Sequence, residues 1–211
     1  MKNNLLPIAK EGWNYIAFSV ALFVVSYILH LEFLQLFSFV LLLFFLFVFR
    51  NPERELPNFE ENSVLCPVDG EVTSIDALEN SEFAYKVTIN TTYKDVAVLR
   101  TPMNAMITLL EKNNGTRLSL DDALARKTNE NVNVIFQDTN ENKMKVSHIV
   151  KRSLCGIEVE SIKEGLNVVK SSRYGIMVNG ITELYLPSNF RLSLILGEET
   201  KASESLVGYF S

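Results

Sequence analysis

Residues 15–49 read YIAFSVALFVVSYILHLEFLQLFSFVLLLFFLFVF, and only His30, Glu32 and Gln35 interrupt this run of Phe, Leu, Val, Ile and small side chains. As one straight helix at about 1.5 Å per residue it would reach about 50 Å, too long for a hydrocarbon core of about 30 Å. The polar break His30-Leu31-Glu32 divides it into two apolar helices, Ile16–Leu29 and Phe33–Phe49. The expectation is therefore an N-terminal two-helix hairpin, transmembrane or re-entrant, whose two ends emerge on one side. Lys2 and Lys10 before it, with Arg50 and Arg54 after it, put positive charge on that side, which the positive-inside rule assigns to the cytoplasm. The expected location is the inner (cytoplasmic) membrane with the soluble domain facing the cytoplasm. The apolar region is too long for a cleaved signal peptide, and no small-residue cleavage site follows it.

Beyond Arg50 the hydrophobic period becomes two. Segments 71–75, 83–90, 95–99, 105–110, 132–137, 143–150, 157–162, 173–178, 182–186 and 192–196 alternate or run apolar between Asn, Gly, Asp and Pro. Ser119 and Asp121 open a short helix over 120–126 in N-cap style. The predicted fold is mainly β, a sandwich-like or barrel-like domain with one short helix, divided as a hairpin at 1–50 and a β-rich domain at 51–211. The Asn179-Gly180 pair reads as a tight hairpin turn between two strands.

Charge narrows the function. The net charge is −5; residues 1–50 contribute +1, so the β domain carries the deficit. An acidic domain with no basic cluster excludes nucleic acid as a partner. Cys66 and Cys155 stand far apart without further ligands nearby and read as two reduced thiols. His30 and His148 are the only histidines, so no His-rich metal site can be built, and no metal is expected.

Three local sequences point to one family. Arg50-Asn51-Pro52-Glu53-Arg54 follows the second apolar helix, Cys66-Pro67-Val68-Asp69-Gly70-Glu71-Val72 leads into a strand, and Tyr174-Gly175-Ile176-Met177 precedes Tyr185-Leu186-Pro187. With Lys10-Glu11-Gly12 ahead of the hairpin, this order resembles the short bacterial type of phosphatidylserine decarboxylase proenzyme over nearly the whole chain. The resemblance implies a pyruvoyl enzyme that makes phosphatidylethanolamine from phosphatidylserine. In that family a Ser after a Gly attacks the preceding peptide bond and elimination leaves a pyruvoyl group at a new N-terminus. The group then holds the substrate amine as a Schiff base and takes up the electrons released with carbon dioxide. An Asp in Pro-x-Asp-Gly and a His in His-Val-Asn-Arg-Ala-Pro activate that Ser.

This chain keeps the Asp as Asp69 and loses the rest. Ala97 stands at the His position in Asp95-Val96-Ala97-Val98-Leu99-Arg100-Thr101-Pro102. At the cleavage site Ile181 occupies the Ser position when aligned forward from Tyr174, and Gly180 occupies it when aligned backward from Tyr185-Leu186-Pro187. Thr182 offers a hydroxyl one position on, and elimination there would give a ketobutyryl group. The pyruvoyl cofactor is therefore expected to be absent. Arg100, Lys151, Arg152 and Arg173 are the candidates for holding a phospholipid head group. The expected function is a catalytically inactive, membrane-anchored relative that binds a phospholipid head group or a phospholipid-synthesis enzyme and so bears on phosphatidylethanolamine synthesis. Two alternatives stay open: an active decarboxylase with atypical self-processing, and a structural membrane assembly protein.

Overall fold

The computed structural model describes residues 6–55, 57, 59–60, 62–79, 82–119 and 123–211. The chain divides into two compact units, Asn4–Glu53 and one beginning at Arg54 and running to Ser211.

In the first unit a 3₁₀ turn, Lys10–Gly12, leads into α1 (Trp13–Ile28), and α2 (Glu32–Val48) follows. Lys10–Ile28 is long and apolar enough to cross a membrane; α2 is shorter. The polar break is a helix stop of defined geometry. His30 takes the left-handed conformation (φ 53°), its N–H donates to Tyr27 O at 3.2 Å, and Leu31 N–H donates to Ser26 O at 2.9 Å. This pair of bonds satisfies the last carbonyls of α1 and turns the chain back. The helix contact is lined by small residues: Ser19, Ser26 and Ser38 are fully buried, each hydroxyl donating to a carbonyl of its own helix. Tyr15 stacks on Phe49, and Phe23 packs on Phe39. Outward, Phe18, Ile28, Phe33, Leu36 and Val40 are exposed. Ala9 N–H donates to Phe49 O and Asn51 N–H to Pro7 O, both at 2.8 Å, so the two ends of the hairpin are fastened together.

The second unit is mainly β, as its period-two pattern predicts. The strands are β1 (Ser63–Leu65), β2 (Gly70–Ala77), β3 (Tyr85–Thr91), β4 (Val98–Arg100), β5 (Ala105–Asn113), β6 (Asn131–Gln137), β7 (Lys143–Val150), β8 (Glu158–Val159), β9 (Asn167–Val168), β10 (Arg173–Ile176), β11 (Gly180–Leu186), β12 (Phe190–Leu192), β13 (Glu199–Thr200) and β14 (Leu206–Phe210). One helix, α3 (Ala123–Thr128), lies between β5 and β6; the predicted start at Leu120 and Asp121 falls outside the described residues. An eight-stranded sheet runs β13-β2-β3-β11-β7-β6-β5-β9, and two three-stranded sheets run β1-β14-β12 and β4-β10-β8. Among the described residues none of these sheets closes into a barrel.

Strict alternation fixes which face is core. Val132, Val134 and Phe136 of β6, Met144, Val146 and Val150 of β7, Val87 and Ile89 of β3, and Leu184 and Leu186 of β11 are buried together. Tyr174 and Met177 reach this core from β10 and the segment after it. Asn179-Gly180 is not a hairpin turn: β10 pairs with β4 and β8, whereas β11 pairs with β3 and β7. The tight turns favoured by Asn-Gly need positive φ at both residues, and neither residue is among those with positive φ. The bend instead carries the chain from one sheet to another, with Asn179 buried under Lys151 and Arg152.

Candidate functional site

Strand β11 sits between β3 and β7, so residue 180 faces Thr91 and Val150, residue 181 faces Asn90 and Ile149, and residue 182 faces Ile89 and His148. Gly180 begins the strand because no side chain fits there. A Cβ would lie 2.5 Å from Ile149 O and 2.5 Å from Met177 Sδ. Met177 N–H in turn donates to Ala97 O at 2.8 Å. The positions aligned with the family's His and Ser are thus linked through Met177, whose backbone N–H meets residue 97 and whose sulfur stands beside residue 180.

Asp69 adjoins this linkage. It sits in the turn before β2, where Gly70 is required because a Cβ there would meet Asn90 O at 2.5 Å. The Asp69 carbonyl accepts from Thr91 Oγ1 at 2.7 Å. Its carboxylate accepts from Arg54 at 2.6 Å and from Ala202 N–H at 2.8 Å, and the Val96 N–H supports it as well. Burial raises its pKa, outweighing the Ala202 N–H and the Arg54 charge. A cleft of about 230 Å³ opens beside it, lined also by Asn90, Thr92, Lys94, Asp95 and Lys201.

Thr182 has a partner that sequence reasoning missed. Its Oγ1 lies 2.8 Å from His148 Nδ1, and His148 Nε2 lies 2.5 Å from the Tyr174 hydroxyl. All three side chains are buried. Burial pushes the His148 pKa down to about 3 and the Tyr174 phenol far above its usual value. The array is neutral: an imidazole with one donor and one acceptor, matched by a hydroxyl on each side. Alternation puts His148 and Thr182 on the inner faces of their strands, but only the strand order, β7 beside β11, puts them together.

The four cationic candidates separate into two pairs. Arg100 and Arg173 are register partners in the β4–β10 ladder; Arg100 is buried, with Nη1 donating to Ser171 O at 3.4 Å. Lys151 and Arg152 follow β7. Lys151 Nζ donates to Asn90 Oδ1, and its N–H donates to Asn179 O at 3.1 Å. Arg152 is exposed and holds a positive φ of 33°. Cys66 and Cys155 are both buried and neither forms a disulfide, and burial pushes the Cys66 thiol up to about 11.

The acidic turn at Asp69, the start of β11 at Gly180 and the segment at residue 97 are thus linked by direct contacts. The chain matches the phosphatidylserine decarboxylase family over residues 41–208 and belongs to that family. It is 33% identical over 223 residues to the phosphatidylserine decarboxylase proenzyme of Geobacter sp. (strain M21), covering 99% of each chain. It is 31% identical over 221 residues, again 99% of each, to the proenzyme of Geobacter metallireducens. With the proenzyme of Desulfotalea psychrophila it shares 26% identity over 211 residues, 96% of each. No solved structure matches. The residues here do not fit a pyruvoyl group: its carbonyl is made from a Ser, and neither residue 180 nor residue 181 carries an oxygen on its side chain.

Proposed function

We propose that this chain is a membrane-associated member of the phosphatidylserine decarboxylase family that stays uncleaved, makes no pyruvoyl group and binds phospholipid. In this reading the hairpin lies in the inner membrane and the β unit faces the cytoplasm, in keeping with Lys2, Lys10, Arg50 and Arg54 flanking the apolar helices. A bound phospholipid, or an enzyme of phospholipid synthesis recognised alongside it, is the partner. The observation that carries the reading is the sealed start of β11, where the Ile149 carbonyl and the Met177 sulfur take the space of a nucleophile's side chain.

A second reading is favoured by one contact, Thr182 Oγ1 to His148 Nδ1. There Thr182 Oγ1 attacks the Ile181 carbonyl carbon with His148 as the base, and the Ile181–Thr182 amide C–N bond breaks as an ester forms; loss of the Thr182 Cα proton then expels the Ile181 carboxylate, and water hydrolyses the resulting imine, releasing ammonia, to a ketobutyryl terminus. It is the weaker reading, because a buried imidazole with a pKa near 3 takes up a proton poorly at neutral pH.

Intact mass of the purified protein separates the two. The first expects one chain of 23.9 kDa. Two polypeptides, the smaller of about 30 residues with a carbonyl terminus that reacts with hydroxylamine, would overturn it in favour of the second.

A further inference from the structure

Away from the start of β11 lies a groove of about 380 Å³, walled by Arg117 and Leu118 on one side and by Leu124, Ala125 and Thr128 of α3 on the other, with Arg152 at one end. It combines two features that rarely share a surface. Leu118 and Leu124 are 57% and 64% exposed, and guanidinium groups stand beside them.

The groove is built rather than incidental. Asn129, fully enclosed, spends both ends of its amide on the wall. Its Oδ1 accepts from Leu118 N–H at 3.1 Å and from Thr116 Oγ1 at 2.7 Å; its Nδ2 donates to Leu118 O at 2.9 Å and to Val150 O at 2.8 Å. Arg117 is braced through Nε by buried Glu130 at 3.2 Å. Arg152 N–H donates to Arg117 O at 3.0 Å. The Arg152 carbonyl accepts from Tyr93 OH at 2.8 Å and from Asn179 Nδ2 at 3.5 Å, while Leu154 N–H donates to the same Tyr93 oxygen at 3.1 Å. These bonds hold Arg152 at a φ of 33°, a conformation costly for any side chain with a Cβ. The strain is maintained and the side chain is exposed, and among the described residues no carboxylate pairs with it.

Resting on the reading of the chain as a phospholipid binder, we propose that this groove takes an anionic phospholipid of the bilayer. Its phosphate lies between Arg117 and Arg152, and its glycerol and first acyl carbons lie on Leu118 and Leu124. A guanidinium fork matches phosphate oxygens in pairs. Exposed leucines gain from acyl chain and gain nothing from inorganic phosphate. Lys127 in the last turn of α3 adds positive charge on a unit that is otherwise acidic, complementary to an anionic membrane surface, while its neighbour Arg126 pairs with Glu183 at 3.7 Å. Of the four cations singled out from sequence, the geometry selects Arg152 and adds Arg117, Leu118 and Leu124.

The test uses the full chain in dodecyl maltoside micelles doped with phosphatidylglycerol or phosphatidylcholine, with retained lipid counted by native mass spectrometry. The wild type retains phosphatidylglycerol in preference. Arg152→Asn, which tolerates the positive φ, lowers that retention about fivefold, and Leu118→Ser, at an exposed side chain, lowers it severalfold. Millimolar inorganic phosphate leaves retention unchanged; displacement by phosphate would make this a site for the free anion and overturn the proposal. Selective retention that survives both substitutions but is lost in Arg173→Gln overturns the groove and leaves phospholipid binding standing. No selective retention by the wild type removes both.

Discussion

Two neighbouring parts of the β unit treat polar chemistry in opposite ways. At the start of β11 the positions that the family uses for cleavage are closed: Gly180 under a carbonyl and a thioether, Ile181 buried, and Thr182 locked to a neutral imidazole. Beyond the end of β7 the groove at Arg152 is open, cationic and held in strain. The two are joined by direct bonds, since Lys151 N–H reaches Asn179 O and Asn179 Nδ2 reaches Arg152 O. In the reading proposed above, the contrast means that the positions aligned with the family's cleavage site and the groove proposed to hold lipid are separable in this fold, so that the first can be core while the second stays a surface.

The largest effect expected from breaking the contrast comes from putting the missing oxygen back. Gly180→Ser brings a Cβ to 2.5 Å from the Ile149 carbonyl, which is backbone and cannot step aside. Overpacking of this kind costs about 3 kcal/mol, and chemical denaturation should show the loss without any cleavage on a gel. Adding Met177→Ala frees only the sulfur side and empties a fully buried core position, so it should not restore the stability. A Gly180→Ser chain that is as stable as wild type and splits in two would mean that the site is open and merely lacks its nucleophile.

The sequence displayed this unevenly. The β6 and β7 strands were legible to within a residue because Val132-x-Val134-x-Phe136 and Met144-x-Val146-x-His148-x-Val150 hold a period of two along the chain, even though the other face of β7 is itself buried from Ser147 on. The hairpin was legible through the polar break at His30. By contrast β1, β9 and β13 are two or three residues long, too short to show any period, and β14 escaped as well. The segment 192–196 alternates, yet only Leu192 is strand, while Ile195 and Leu196 stand 67% exposed. At the site, Asp69 and its turn could be read from Asp-Gly; its partner Arg54 could not, because a pair fifteen residues apart has no periodic signature. His148 beside Thr182 depends on strand order, which is set by long-range pairing and is invisible to local pattern. The same holds for Asn129, whose side chain joins three segments.

The next effect sharpens the contrast from the buried side. His148 has a folded pKa near 3 against an ordinary value of 6.5. Between those values the unfolded chain binds a proton that the folded chain refuses, so stability from this residue is complete above about pH 6.5 and falls as the solution is acidified. The slope is about 1.4 kcal/mol per pH unit. Asp69, raised in the fold, has the opposite sign and loses stability as pH rises through its titration. The comparison must therefore be wild type against His148→Gln, which keeps a hydrogen-bonding side chain and cannot titrate. The difference between their unfolding free energies should shrink from pH 6.5 to pH 4.5, and a constant difference would mean that His148 is reached by solvent.

The smallest effect asks whether the Thr182 hydroxyl is structural. In Thr182→Val the shape is kept and the oxygen is removed, leaving His148 Nδ1 buried without its hydrogen-bond partner. The cost is that of one unmade bond, about 1–2 kcal/mol, well below that of Gly180→Ser because nothing is forced to move. Thr182→Ser keeps the bond and trims only a methyl group from the packed face, so it should lose about 1 kcal/mol through the small void. The ordering discriminates. If the hydroxyl only completes the Tyr174–His148–Thr182 array, both variants remain single chains and Val is the less stable. If the oxygen is a nucleophile, Ser is the variant that cleaves fastest, since a primary hydroxyl attacks with less hindrance, and Val is the one that never cleaves at all.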